Sequence, residues 1–128
     1  MKKFAWLLCM VFLVLATSVL SAQKTEDPCK GEENQMNMNL CAAQQYQEAD
    51  DALNATWKSL LGHMEDAEKA EIRKVQTLWL KFRDAQVAYE IAPWEGGSMQ
   101  PMIRYGCLKR LTEQRTDDLK ILLEQYEN

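Results

Sequence analysis

Apolar residues that recur three and four positions apart in three long stretches are the feature that most constrains the fold of this chain. Such spacing places them on one face of an α-helix. The stretches cover about residues 37–64, about residues 65–91, and the chain from about residue 98 towards the C-terminus. Short connections between three helices favour neighbours that run in opposite directions. We therefore predict an all-α fold, a small antiparallel three-helix bundle with an N-terminal arm.

Glycine, proline and serine mark the predicted helix ends. Gly62 is a stop signal for the first helix, Pro93 ends the second, and Ser98 is an N-cap for the third. The predicted buried stripe of the second helix consists of Ile72, Val75, Leu78, Trp79, Phe82, Ala85 and Tyr89. The apolar stripe predicted for the first helix consists of Met38, Ala42, Tyr46, Ala49, Leu53, Trp57, Leu60 and Leu61, and that of the third of Met102, Ile103, Leu108, Leu111, Leu119, Leu122 and Tyr126.

Residues 1–22 are typical of a cleaved secretory signal peptide. Lys2 and Lys3 precede an apolar run that ends near Ala16, and small residues follow up to Ala22. The run is shorter than the roughly 20 residues that span a bilayer, which argues against a membrane anchor. We expect secretion, no membrane association after cleavage, and a mature chain, residues 23–128, that forms a single helical domain.

The mature chain is acidic. Without Lys2 and Lys3, 13 of the 15 lysines and arginines remain against 19 aspartates and glutamates, a formal charge of −6. This charge argues against binding to nucleic acid or to an anionic membrane surface. It favours a cationic partner, although it can also serve solubility alone.

Three cysteines remain after cleavage, which in an oxidising compartment means one disulfide and one cysteine left over. The expected bundle brings Cys29, Cys41 and Cys107 to the same end, so that each pairing is conceivable. The most local pairing, Cys29–Cys41, is favoured and would tie down the arm. Cys107 is then an alternative partner or a free thiol. The chain is expected to be a monomer, or a dimer if Cys107 is free.

The sequence gives little indication of a metal or cofactor site. No Cys-x-x-Cys motif is present and His63 is the only histidine, so an ordinary zinc site is not expected. A Cu(I) site is conceivable where methionines gather near Cys41, but ordinary apolar packing is favoured there. These methionines are Met36, Met38, Met99 and Met102. We predict no cofactor.

Five polar residues are expected to cluster against the core: Asp50, Asn54, Arg83, Asp84 and Arg115. One interpretation is a catalytic pair in which Asp50 and Asp84 share acid–base work. The favoured interpretation is a structural polar network, because a half-buried arginine needs a partner and its guanidinium suits carboxylates. The chain is therefore predicted not to be an enzyme.

The connection between the second and third helices is the best candidate for partner contact. It reads Pro-Trp-Glu-Gly-Gly-Ser at residues 93–98. Trp94, with Glu95 beside it, would anchor a partner if its indole is exposed. If the indole folds back it would cap the bundle, and the glycines would serve only the turn.

The ordered set of motifs resembles the small secreted helical domain of the LprI-like lysozyme inhibitor family. The residues that carry the resemblance are Met38 to Ala42, Tyr46, Ala49-Asp50, Leu53-Asn54, Gln76, Trp79, Phe82 to Ala85, Gly96 to Ser98, Pro101-Met102, Cys107-Leu108, Leu111-Thr112 and Arg115. The resemblance implies an all-helical, secreted or periplasmic bacterial protein. It also implies, as an expectation, binding of lysozyme, a cationic enzyme. Many relatives carry a fourth cysteine where this chain has Val87.

Two functional hypotheses follow. The first is a secreted, non-enzymatic binding protein that inhibits lysozyme-like muramidases. The second is a structural or stress-related envelope protein whose surface serves another partner.

Overall fold

The computed structural model describes residues 27–127, which form three α-helices and one short 3₁₀ turn. The helices are α1 (Gln35–His63), α2 (Asp66–Ile91) and α3 (Gln100–Glu127), and the 3₁₀ turn Ala92–Trp94 follows α2. The described residues contain no strand, and the predicted all-α three-helix fold is confirmed. The signal peptide predicted for residues 1–22 lies outside the described residues. Within residues 27–127, no helix has the length and apolarity to cross a membrane.

Polar side chains and glycine-rich turns define the helix ends. Asn34 caps α1, because its side-chain oxygen accepts the Asn37 N–H at 2.9 Å. At the start of α2, the Glu65 N–H donates to the Glu68 carboxylate at 2.9 Å. α1 continues through the predicted stop at Gly62 to His63, and α3 begins at Gln100, two residues after the predicted cap.

α1 and α3 run parallel and share the closest seam of the bundle. Lys109 donates to Gln45 at 3.3 Å, and the rings of Tyr46 and Tyr105 stack with centroids 6.0 Å apart. Further along, Ala49 of α1 is buried and carries only a methyl group. Small side chains at such a seam let two helix backbones approach closely.

The buried residues form two apolar clusters with a polar layer between them. One cluster contains Leu53, Leu60, Met64 and Leu119, and the other contains Val87, Cys107, Leu108 and Leu111. Between them, α3 buries Thr112, Arg115 and Thr116. The core is thus apolar towards both ends and polar in the middle.

The predicted buried stripe of α2 is wrong at most of its positions. Val75, Leu78, Phe82 and Tyr89 are 47%, 65%, 55% and 79% exposed, and Ala85 is exposed too. The face that points inward carries Ile72, Gln76, Trp79, Arg83 and Val87, of which only Val87 is fully buried. The prediction was wrong because polar Gln76 and Arg83 lie on the inward face of α2. The more regular series of apolar residues lies on an adjacent face that is exposed.

Candidate interaction surface

The chain turns tightly between α2 and α3. The Gly97 N–H donates to the Trp94 carbonyl at 3.0 Å, and the Gln100 N–H donates to the Gly97 carbonyl at 3.1 Å. Gly96 has φ = 74°, in the left-handed region where a side chain brings strain. A Cβ on Gly97 would lie 3.1 Å from the Trp94 carbonyl oxygen. The turn therefore favours glycine at position 96 through its backbone conformation, and a side chain at position 97 would need the Trp94 carbonyl to shift slightly.

The turn is fastened to the start of α1. The Asn39 side-chain amide donates to the Ser98 carbonyl at 3.0 Å, and the Gln35 amide donates to the Asn39 side-chain oxygen at 2.9 Å. Trp94 remains 41% exposed, and Glu95 is exposed beside it. The indole is thus neither folded fully back nor fully free, and it is presented on a fixed turn.

The N-terminal arm lies at the same end of the bundle. Cys29 and Cys41 form the favoured disulfide, which ties the arm to α1. Asp27 accepts the Cys29 N–H at 3.0 Å and pairs with Lys30 at 3.1 Å. The Lys30 contact first, and the Cys29 N–H second, lower the pKa of the Asp27 carboxyl.

Exposed apolar side chains and acids are both present at this end of the bundle. We call this set the loop-end surface: Met36, Met38, Leu40, Trp94 and Met99, with Glu32, Glu33 and Glu95. Three of the four methionines expected to pack inside the protein, Met36, Met38 and Met99, are therefore exposed. Apolar and charged side chains occur together in protein-binding sites.

The five polar residues of the predicted network separate into pairs. Asn54 donates to Asp50 at 2.9 Å within α1, and Arg83 donates to its neighbour Asp84 at 2.9 Å. The Arg83 guanidinium also lies 5.4 Å from the centre of the Trp79 ring. No hydrogen bond among the described residues joins the α1 pair to the α2 pair.

Arg115, the fifth of these residues, lies apart from the aspartates of the predicted network. Its Nε donates to the Gln76 side-chain oxygen at 3.0 Å. One terminal nitrogen of its guanidinium has no hydrogen-bond partner among the described residues. Burial lowers the pKa of Arg115, and the nearby Asp118 charge partly opposes this effect.

A second polar cluster, centred on Glu90, was missed by the sequence analysis. The Glu90 carboxylate accepts hydrogen bonds from the Cys107 thiol at 2.8 Å, the Gln86 amide at 2.8 Å and the Arg110 guanidinium at 2.6 Å. These three contacts lower the pKa of Glu90 to about 2. The Cys107 contact has the largest effect, followed by Gln86 and then Arg110. The spacing that places Val87 opposite Cys107 could have indicated this contact, since Glu90 lies one turn after Val87.

Cys107 is a free cysteine, but it is buried. Burial first, and the hydrogen bond to Glu90 second, raise the pKa of its thiol. A buried, protonated thiol is a poor nucleophile and is not presented for a bridge to another chain. The structure therefore provides no exposed thiol at Cys107 for the predicted disulfide-linked dimer.

The described residues offer little for catalysis. They contain no group of three histidine, cysteine, aspartate or glutamate side chains that could hold a metal ion. A cleft of about 700 Å³ is an open groove between α1 and α3 that is lined by both lysines and acids. Asp84 is two-thirds exposed and pairs with its own neighbour. The loop-end surface is the better candidate for function.

Comparison with known proteins places the chain in a family. The family model described as lysozyme inhibitor LprI matches residues 26–119. This chain belongs to the LprI family. The matched span includes the disulfide, the turn at residues 94–98 and most of α3. The predicted family resemblance is thus confirmed.

Among curated proteins, a protein of Rhizobium meliloti (strain 1021) that is described as uncharacterized is 37% identical over 131 residues. The alignment covers 91% of this chain and 93% of that protein. No solved structure matches the chain. The family therefore indicates an inhibitor-like role for this LprI member, and the relative adds no printed activity.

Proposed function

We propose that the chain is a secreted, periplasmic, non-enzymatic protein that binds and inhibits lysozyme-like muramidases through its loop-end surface. The observation that carries the proposal is the set of exposed apolar and acidic side chains of that surface, in a member of a lysozyme inhibitor family. The mature chain would be residues 23–128, a single helical domain freed from its signal peptide.

Charge supports a cationic enzyme as the partner. The mature chain carries a formal charge of −6, and three exposed glutamates belong to the loop-end surface. Opposite charges accelerate encounter, and buried aromatic anchors then slow dissociation. We expect Glu32, Glu33 and Glu95 to guide association and Trp94 to contribute most to the lifetime of the complex.

Rigidity supports inhibition as the mode of action. The turn is fixed by two glycines and by Asn39, and the arm beside it is fixed by the Cys29–Cys41 disulfide. A surface that is ordered before binding loses little conformational entropy when it enters a cleft. Such a surface can occupy a substrate cleft without chemistry of its own.

The direct test measures lysis of a cell-wall suspension by lysozyme with increasing mature protein at low salt. We expect stoichiometric inhibition whose affinity falls as salt increases, because salt screens the glutamates of the loop-end surface. Unchanged lysis in the presence of excess protein would remove the inhibitor proposal. The loop-end surface would then serve an envelope protein, to be captured from an envelope extract with and without Trp94→Ala.

Pairs of matched variants test whether lysozyme binds to the loop-end surface. Trp94→Ala is expected to weaken lysozyme binding at least about tenfold, as for an aromatic hot spot. Its control is Ile121→Ala, which truncates an exposed apolar side chain on α3, outside the loop-end surface. Glu95→Gln is expected to lower the association rate, and Asp51→Asn removes an exposed carboxylate from α1 as its control.

The non-enzymatic part of the proposal has its own test. Asp50→Asn and Asp84→Asn should leave the affinity for lysozyme unchanged, because neither residue belongs to the loop-end surface. Loss of any hydrolytic activity of the purified protein in a variant that stays folded would contradict this part and restore the catalytic interpretation of the two aspartates.

A further inference from the structure

A cleft to which all three helices contribute brings two arginines together, and the proposed function does not use it. We call it the arginine cleft, and its volume is about 380 Å³. It is lined by Tyr46 of α1, by Arg83, Asp84, Val87 and Ala88 of α2, and by Arg104 and Leu108 of α3. Two arginines and one aspartate give this lining a formal charge of +1, opposite in sign to the −6 of the mature chain.

The two arginines differ in what they already contact. The Arg83 side chain is only 15% exposed, and its guanidinium lies 5.4 Å from the centre of the Trp79 ring. Its Nε and Nη2 both donate to Asp84, which leaves Nη1 outside that pair. Arg104 is exposed and has no hydrogen bond or ion pair among the described residues. The cleft therefore combines a fixed guanidinium with one that is free to bind an anion.

The rest of the lining supplies a hydroxyl group and an apolar wall. The Tyr46 ring stacks on Tyr105 with centroids 6.0 Å apart. Burial is the main reason why the pKa of Tyr46 is raised, so that its hydroxyl keeps the proton at neutral pH and can donate it in a hydrogen bond. Val87 and Leu108 are buried, and Ala88 carries only a methyl group. Such a wall suits a ligand with an apolar part as well as a charged one.

We propose that the arginine cleft binds a carboxylate attached to a small apolar group, either a free small carboxylic acid or the C-terminus of a peptide. Arg104 and Nη1 of Arg83 bind the carboxylate, and the Tyr46 hydroxyl donates to it. Guanidinium N–H groups match the two oxygens of a carboxylate in one plane.

Charge favours a carboxylate over a phosphate. A carboxylate carries one negative charge, which the +1 of the lining neutralises. A phosphate group carries a charge of about −1.5 to −2 at neutral pH. Asp84 in the lining and Asp50, whose charge also acts on Tyr46, oppose this additional negative charge.

The experiment is an NMR titration of the isotopically labelled mature protein, followed at the backbone amides and at the arginine Nε–H groups. The probes are acetyl-alanyl-alanine, butyrate and inorganic phosphate, with acetyl-alanyl-alanine amide as the control that lacks a carboxylate. We expect saturable shifts at the lining residues with the peptide acid, and none with its amide. Tighter binding of the peptide acid than of butyrate assigns the cleft to peptide C-termini, whereas equal or tighter binding of butyrate assigns it to small free acids.

Matched variants locate the binding site. Arg104→Gln removes the free guanidinium and should weaken binding at least about tenfold, whereas Arg73→Gln makes the same change of charge at an exposed position outside the cleft and should not. Ala88→Leu narrows the cleft and should also weaken binding, with Ala85→Leu on the exposed side of α2 as its control. Tyr46→Phe keeps the stacked ring, removes only the hydroxyl and should cost about threefold.

Several outcomes would overturn the proposal. These are equal affinity of Arg104→Gln and wild type, equal binding of the peptide acid and its amide, and no saturable shift with either carboxylate. Phosphate that binds more tightly than both carboxylates would overturn the choice of ligand. Well-dispersed amide spectra establish that each variant is folded, and Ala88→Leu replaces Arg104→Gln if that variant is not. The titration contains no lysozyme, so its result does not depend on the proposed inhibition.

Discussion

The contact between α1 and α3 and the attachment of α2 to α3 depend on different interactions. α3 buries seven residues and α1 buries three, whereas α2 buries only Val87. α2 is joined to α3 by specific polar contacts along its length instead: Tyr126 to Glu68, Arg115 to Gln76, and Arg110 with Cys107 to Glu90. Apolar burial should therefore control the α1–α3 pair, and hydrogen bonds and charge should control the attachment of α2.

The same difference appears in the exposure of apolar side chains. Val75, Leu78, Phe82 and Tyr89 of α2 are exposed and contribute little to the bundle, whereas Leu60 of α1 and Leu119 of α3 are fully buried. The loop-end surface includes the turn that connects α2 to α3, where Asn39 of α1 contacts Ser98.

The largest effect expected within the comparison is a truncation in the α1–α3 core. Leu119 is fully buried, and Leu119→Ala should lower the free energy of unfolding by about 2–5 kcal/mol, through lost apolar burial and the cavity that remains. Leu78→Ala, at an exposed position on α2, is the matched control and should cost less than about 0.5 kcal/mol. Denaturant titration measures both, and equal losses would break the distinction between the two regions.

The helices and their order were predictable from the sequence, and the inward face of α2 was not. Three-and-four spacing, Gly62, Pro93 and Ser98 placed three helices within a few residues of their observed ends. On α2, however, two apolar series compete. Spacing alone favours the more regular one, which is exposed, because it cannot recognise Gln76 and Arg83 as inward-facing partners of another helix.

The candidate site was predictable in part for a related reason. Trp94 and Glu95 were identified because tryptophan beside two glycines in a short connection is unusual, and their role remains a proposal. The Glu90 cluster was missed because it depends on the antiparallel register of α2 and α3. That register brings Glu90 to Cys107 and Arg110, and the available signal, Val87 facing the helix that carries Cys107, was not extended by one turn to Glu90.

The contact between Arg115 and Gln76 tests the polar attachment of α2. Gln76→Ala removes the hydrogen-bond partner of a buried guanidinium and should lower the free energy of unfolding by about 1.5–3 kcal/mol. Gln114→Ala, at an exposed position on α3, should cost less than about 0.5 kcal/mol. A negligible cost for Gln76→Ala in thermal and denaturant unfolding would mean that apolar contacts alone hold α2.

A smaller effect is expected at the polar layer of the α1–α3 seam. Thr112 is fully buried, and its hydroxyl has no hydrogen-bond partner among the described residues. Thr112→Val keeps the shape and removes the buried hydroxyl, so that it should stabilise the fold by about 1 kcal/mol. Thr112→Ser keeps the hydroxyl, removes a methyl group and should destabilise by a similar amount. Destabilisation by valine would show that the hydroxyl has a partner.

The smallest expected effect is a pH dependence that belongs to the α2–α3 contact at Glu90. The pKa of this carboxyl is lowered from 4.5 to about 2 by the hydrogen bonds from Cys107, Gln86 and Arg110. A lowered pKa in the folded state contributes stability above the unfolded value. That contribution is lost as the pH falls from about 4.5 towards about 2.

The measurement is the thermal midpoint of unfolding across this pH window for wild type and Glu90→Gln. The midpoint of the variant should fall less steeply with decreasing pH, because glutamine cannot take up the proton. Glu113→Gln, an exposed acid whose lysine partner lies 3.8 Å away, is the control and should keep the wild-type slope. The variant should also let native Cys107 react faster with a thiol reagent, since its hydrogen bond to a carboxylate is gone. Parallel slopes for wild type and Glu90→Gln, with unchanged thiol reactivity, would remove Glu90 from the charged contacts that attach α2 and leave Arg115–Gln76 as the principal one.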